Sequence, residues 1–159
     1  MTFLFLALWL IACQDQTAET AQQQVEELFQ LEKLPQRSTV NAKGAVILRD
    51  WKEFNDFNTS FDALYTVANT EDLSLVLEDL IEKQKQLEGG AYPAVFDVPQ
   101  VRSRQRVLKT FILKTKAAVE YRIDATDAAT EMVDAYNTLR NQFNTIVNNT
   151  LDTNLIIDE

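Results

Sequence analysis

The chain has no histidine, one cysteine, three glycines and three prolines in 159 residues. Without histidine there is no Ser-His-Asp relay, no His-ligated zinc, no usual haem ligand and no Glu-x-x-His di-iron signature. A single cysteine, Cys13, permits no internal disulfide and no dithiol chemistry. Gly-rich phosphate loops and the Gly-x-Ser-x-Gly elbow are missing as well. Carboxylate, Lys, Tyr or Ser chemistry survives, but no motif announces it. The chain therefore reads as a non-enzyme, with no cofactor and no metal expected. Few glycines and prolines also predict long, uninterrupted elements, and a hydrophobic content of 46% excludes a disordered chain.

Residues Phe3 to Ile11 form one apolar run. Nine helical residues rise only about 14 Å against a hydrocarbon core of about 30 Å, too short for a transmembrane span. The run fits the apolar region of a secretory leader, with Ala12 as the small residue before the cut. Residues 1–12 hold no Lys or Arg, so the initiator amine, or residues upstream, must supply the positive charge such leaders start with. The four residues Leu10-Ile11-Ala12-Cys13 resemble the lipobox of a bacterial lipoprotein. That resemblance implies cleavage between Ala12 and Cys13 and acylation of Cys13, which would carry two or three chains and hold the protein stably at a membrane. It covers residues 1–14 only. Gln14 after the cysteine, instead of Asp, resembles the pattern sorted to the outer membrane. Residues 14–22 are polar and read as a tether.

The remaining chain, residues 23–159, is long enough for one domain with a sizeable core. Its apolar residues recur at threes and fours throughout, which predicts an all-α antiparallel bundle of four principal helices plus a short leading helix. The leading helix runs to Leu34, burying Val25, Leu28 and Phe29, and Pro35 follows it. A second helix of about 30 residues is capped by Ser38 or Thr39. It carries the stripe Val40, Gly44, Ile47, Trp51, Phe54, Asn58, Phe61, Tyr65 and Ala68, with a kink or break expected at Asn55–Ser60, a stretch poor in helix formers. Thr70 caps a third helix facing inward with Leu73, Val76, Leu77, Leu80, Gln84 and Leu87. Gly89 and Gly90 end it through a left-handed residue. The apolar loop Ala91–Val98 is expected to plug a bundle end. Pro99 opens the fourth helix, with Val101, Leu108, Phe111, Ile112 and Val119 inward. A bend at Asp124–Thr126 leads to the last, with Ala129, Met132, Tyr136, Leu139, Phe143 and Ile146 inward.

Charge is segregated. The chain carries a net charge of −9, yet residues 99–122 hold seven cations (Arg102, Arg104, Arg106, Lys109, Lys114, Lys116 and Arg122) against one acid, Glu120. Two readings follow. Arg102, Arg106, Lys109 and Lys116 either form a candidate partner surface or neutralise acidic helices of the same chain: Asp127, Glu131 and Asp134 on the last helix, and Glu78, Asp79 and Glu82 on the third. The acidic total and the lack of aromatic residues interleaved among the arginines argue against nucleic acid. The acidic trio reads as a solvated face, not a metal site, and the aromatic cluster Trp51, Phe54, Phe57 and Phe61 as core.

Taken together, the expectation is a membrane-anchored helical lipoprotein of the cell envelope, leaning to the outer membrane. It would act as a non-catalytic scaffold or accessory subunit whose partners are the membrane, through the lipid, and other envelope proteins. A carrier or sensor of a small hydrophobic or anionic ligand is the alternative, and requires a cavity among Trp51, Phe54 and Tyr136. A carboxylate-based enzyme is the third reading, and requires buried paired acids.

Overall fold

Asn41 starts the first helix: its side-chain oxygen accepts from the Gly44 N–H at 2.9 Å. In the computed structural model, which describes residues 28–149, five α-helices follow: α1 (Ala42–Arg49), α2 (Lys52–Ala63), α3 (Thr70–Gly89), α4 (Pro99–Glu120) and α5 (Thr126–Asn149). Single turns of 3-10 helix stand at Leu31–Lys33 and Leu64–Thr66. The fold is an all-α helical bundle. The leader, Ala12, Cys13, the tether, the first part of the leading helix with Val25, and the chain beyond Asn149 lie outside the described residues.

Helices α2 to α5 run alternately up and down. Ser60 on α2 reaches Asp79 on α3, Lys109 on α4 reaches Glu88 on α3, and Lys114 on α4 reaches Glu131 on α5. Bulky rings close the bundle between α2 and α5. Phe54 meets Phe143 edge-on at 5.3 Å, Phe57 meets Tyr136 at 5.8 Å, and Phe61 stacks on Tyr136 at 3.9 Å. The plug is in place: Phe96 is fully buried, 4.5 Å from Phe143, and Tyr92 lies on Trp51 at 4.9 Å. Residues 91–98 thus seal the end of the bundle where α1 meets α2.

Several local expectations are corrected. The second helix does break, but at Asp50–Trp51, where Trp51 is extended (φ −96°, ψ 91°). The stretch Asn55–Ser60 stays helical because Phe54, Phe57 and Phe61 bury one face of it; Thr59 donates to the Asn55 carbonyl at 3.0 Å, and Ser60 spends its hydroxyl on Asp79 of α3. Ala68, at the end of the expected stripe, is exposed, while Leu48, Phe57, Leu64 and Val67 are buried. The caps are Asn41 and Asn69, in place of Ser38 or Thr39 and Thr70. Asn69 accepts from Asp72 N–H at 2.8 Å, and the Asp72 carboxylate accepts from Ala68 N–H at 3.2 Å, so donors at the helix start are satisfied from both sides. Gly90 is extended (φ −81°), not left-handed; a Cβ there would sit 3.0 Å from Glu53 Cγ and 3.1 Å from Gln86 O, so close approach explains it. The left-handed residue is Arg122 (φ 54°), ending α4. Its own N–H bonds Val119 O at 3.1 Å and the Ile123 N–H bonds Ala118 O at 3.0 Å, the paired reversal that normally favours glycine. Within 28–34 the leading helix is only the turn Leu31–Lys33, and Phe29 is half-buried.

Ahead of α1 the chain is extended and lies along α5. Asn137 accepts from Ser38 N–H at 2.7 Å and donates to Gln36 O at 3.0 Å. Seven residues on, Asn144 accepts from Asn41 N–H at 2.8 Å and donates to Thr39 O at 2.9 Å. Arg140 Nε donates to Ser38 O at 2.7 Å, and Asn41 Nδ2 to Asn148 Oδ1 at 3.0 Å. Each of the amides of Asn137 and Asn144 serves one carbonyl and one N–H of the strap, as a neighbouring strand would.

Two predictions follow from this packing. Replacing Asn137 or Asn144 with Ala should cost about 1–3 kcal/mol despite alanine's better helix propensity, because two backbone groups lose their partner. Asn141→Ala, on an exposed turn between them, should be neutral or stabilising by about 0.5 kcal/mol. Urea unfolding of the three variants checks the ladder, and equal effects would refute it. Second, Phe54→Ala or Phe61→Ala should cost about 3–5 kcal/mol each. Asp56→Ala, which removes only a surface ion pair with Lys52, should cost under about 1 kcal/mol.

Candidate functional site

Helix α4 carries most of the basic cluster, and the structure divides it by direction. Arg102 pairs with Asp97 at 2.7 Å and lies 4.1 Å from the centre of the Tyr92 ring, clamping the plug. Lys109 bonds Glu88 at 2.6 Å. Lys116 is largely buried, bonding Glu78 at 2.7 Å and Ser74 Oγ at 2.9 Å on α3. Lys114 takes Glu131 on α5. Two residues apart on a helix means about 200° apart, so Lys114 and Lys116 cannot both face the acidic trio of α5. Lys116 turns to α3 instead. Of the four candidate partner residues, Arg102, Lys109 and Lys116 are thus held within the chain. Arg106, with Arg104, is exposed and makes no ion pair among the described residues.

Opposite its buried stripe, α4 shows a second face turned away from the other described helices except at Lys114, which reaches Glu131 on α5. Ser103, Val107, Thr110, Lys114, Ala117 and Tyr121 follow at spacings of three and four, flanked by Arg106 and Leu113. Val107 is 42% exposed, Leu113 47% and Tyr121 79%. Apolar residues off the buried stripe were the available signal for this face, and the charge pattern drew attention away from it.

The remaining polar clusters are structural. Tyr136 OH donates to Asn58 Oδ1 at 2.6 Å, which also accepts from Arg140 Nη1 at 2.9 Å. Asn58 Nδ2 reaches Asp62 at 3.2 Å, and Asp62 pairs with Arg37 of the strap. Burial pushes the Tyr136 phenol above its usual value, against the opposing pull of Arg140. Burial does the same for Tyr92, which donates to Gln105. Both phenols are neutral donors holding the fold. Gln84 faces inward as expected and donates to Gln105 O at 3.5 Å. The acidic trio stays apart: Asp127 and Asp134 are exposed, and no group of three or more metal-binding side chains occurs among the described residues. Trp51, Phe54 and Tyr136 are buried in the packed interior of the described residues. Their rings are buried against Phe57, Phe61, Phe96 and Phe143. A groove of about 420 Å³ lies instead at the surface, between Lys52, Glu53, Glu82, Lys85, Gln86, Gly89 and Gly90.

At the opposite end of the bundle from the plug, the chain joins α5. Ala125 N–H bonds Leu28 O at 2.8 Å, and Gln30 N–H bonds Thr126 Oγ1 at 3.0 Å. Asp124 accepts from the Thr126 N–H at 2.8 Å. Hydrogen bonds from the Thr126 hydroxyl and backbone hold the Asp124 carboxyl below its usual range. A lowered carboxylate value stabilises the fold above the ordinary carboxylate range and is lost as pH falls through the lowered one.

Comparison with family models, with curated proteins and with solved structures returns no match. Function has to be read from the residues themselves.

The division of the basic cluster sets a test. Lys116→Gln should lower stability by about 1 kcal/mol, the upper end for a partly exposed pair. Arg106→Gln should stay within about 0.5 kcal/mol of the parent. Thermal and urea unfolding would detect the difference, and a larger loss at Arg106 would contradict the assignment.

Proposed function

We propose that this chain is a lipid-anchored, non-catalytic scaffold or accessory subunit of a protein complex in the bacterial envelope, on the outer membrane. The lipobox-like Leu10-Ile11-Ala12-Cys13 supplies the anchor at Cys13. No described helix is long and apolar enough to cross a membrane, so acyl chains would provide the attachment. The observation that carries the partner role is the outward face of α4. Val107, Leu113 and Ala117, with Thr110 among them, form a largely apolar strip on a long, regular helix, bordered by Arg104 and Arg106, which make no ion pair among the described residues. Arginine is enriched at protein interfaces, and Tyr121 at the end of the same face is another residue they favour. A rigid bundle presents it without ordering cost. The packed aromatic interior favours this reading over a ligand carrier, because the rings fill the volume a ligand would need.

Cys13→Ser should leave a slowly processed or unprocessed precursor without acyl label and release the protein from the membrane fraction. In the lipidated parent, Val107→Ser combined with Leu113→Ser should reduce recovery of envelope partners in a mild-detergent pull-down while leaving the melting temperature nearly unchanged, since both side chains are half-exposed. Undiminished recovery would remove α4 as the contact surface, and normal maturation of Cys13→Ser would remove the anchor.

A further inference from the structure

We infer that the α4–α5 turn, Tyr121-Arg122-Ile123, is a membrane-contact point that stands the bundle on a bilayer of zwitterionic headgroups. The inference rests on acylation of Cys13 and adds an orientation to it.

Two large apolar side chains are exposed side by side in this turn, Tyr121 at 79% and Ile123 at 57%. The left-handed Arg122 between them sends the chain around the end of α4. Tyr, a cation and an aliphatic residue together are the set that settles at a lipid–water boundary, the ring at headgroup level and the cation able to snorkel. Next to the turn, half-buried Phe29 and Leu31 line a shallow depression of about 170 Å³ with Val67 and Ala68. The bonds from Ala125 to Leu28 and from Gln30 to Thr126 place Phe29 at the same end of the bundle, beside the start of α5.

This end is also where the anchored chain joins the domain. Cys13 and Leu28 are 15 residues apart, which at full extension span at most about 50 Å. The plug end lies farther off by the length of α5, whose 24 residues rise about 36 Å. Standing on the plug would consume most of the tether's maximum reach; standing on Tyr121 and Ile123 requires almost none of it. Charge decides the lipid. Arg122 and Lys33 are exposed at this end with Glu32, Glu71, Glu120, Asp124 and Asp127. The acids outnumber the cations, so contact comes from apolar insertion, and an anionic surface repels it.

The test uses the full lipidated protein, whose acylated Cys13 leaves an introduced cysteine as the only free thiol. Ile123→Cys and, on the plug loop, Ala94→Cys are each labelled with an environment-sensitive fluorophore. The proteins are reconstituted into phosphatidylcholine vesicles with or without brominated chains, and the mass of the acyl group on Cys13 is measured in each sample. The label at position 123 should brighten several-fold and be quenched by brominated lipid. The label at position 94 should behave as in water. Adding phosphatidylglycerol, or introducing Tyr121→Ser, should reduce the signal at 123. Acylated protein whose position 123 stays as aqueous as position 94, or whose position 94 enters the lipid instead, overturns the orientation while the anchor stands. Absence of the acyl mass overturns both.

Discussion

An extended peptide lying on a helix has a pairing problem, and its solution here organises the whole molecule. Three extended residues advance about 10 Å, and seven helical residues advance 10.5 Å. A side chain repeated every seventh residue on α5 therefore meets the strap every third residue. Asn137 serves Gln36 and Ser38, and Asn144 serves Thr39 and Asn41. An amide is the one neutral side chain that both donates and accepts at the spacing of a backbone carbonyl and N–H. The helix thus offers the strap what a strand would, and the backbone groups of an irregular segment are satisfied without a sheet.

That constraint fixes the position of everything up to α2. The strap delivers Asn41 to the far end of α5, and its Val40 side chain folds over Gly44: a Cβ there would fall 2.6 Å from Val40 Cγ1. A straight continuation from α1 would carry the chain past the bundle, so it turns at Asp50. Trp51, freed from helical geometry, buries its ring among Phe54, Tyr92, Phe96 and Phe143. Helix α2 can then run back antiparallel to α5, and the wide gap between them is filled by Phe54, Phe57 and Phe61 meeting Tyr136 and Phe143. The polar chain Arg37, Asp62, Asn58, Tyr136 and Arg140 ties strap, α2 and α5 at mid-height.

What could be read from sequence follows from which signals are local. Pro99 at the first turn of α4, the inward stripes of α3, α4 and α5, and the apolar plug are short-range patterns that packing had no cause to override. The break at Trp51 was hidden because the apolar stripe passes through it unchanged; an aromatic residue at spacing four looks the same on a helix and at a corner. Asn55 read as a helix breaker, yet its side-chain amide donates to Arg49 O at 2.9 Å and so caps the end of α1 across the break. The asparagines of α5 were the overlooked signal. Asn is a poor interior helix residue, and its return at positions 137, 144 and 148 marks side chains employed by something outside the helix. For α4 and its end, counting charges pointed to seven cations, while geometry separates the four spent on Asp97, Glu88, Glu78 and Glu131 from Arg104, Arg106 and Arg122.

The strap also couples the two proposed contacts. A chain held along one side of α5 joins the domain at the end opposite the plug, beside Tyr121 and Ile123, and occupies the α5 surface that another protein would otherwise reach. With α3 and α5 packed on either side of it, α4 keeps a full outer face from Ser103 to Tyr121. If the α4–α5 turn meets the bilayer, the Val107–Leu113 strip stands upright above it, at a height where a neighbouring envelope protein can lie against it.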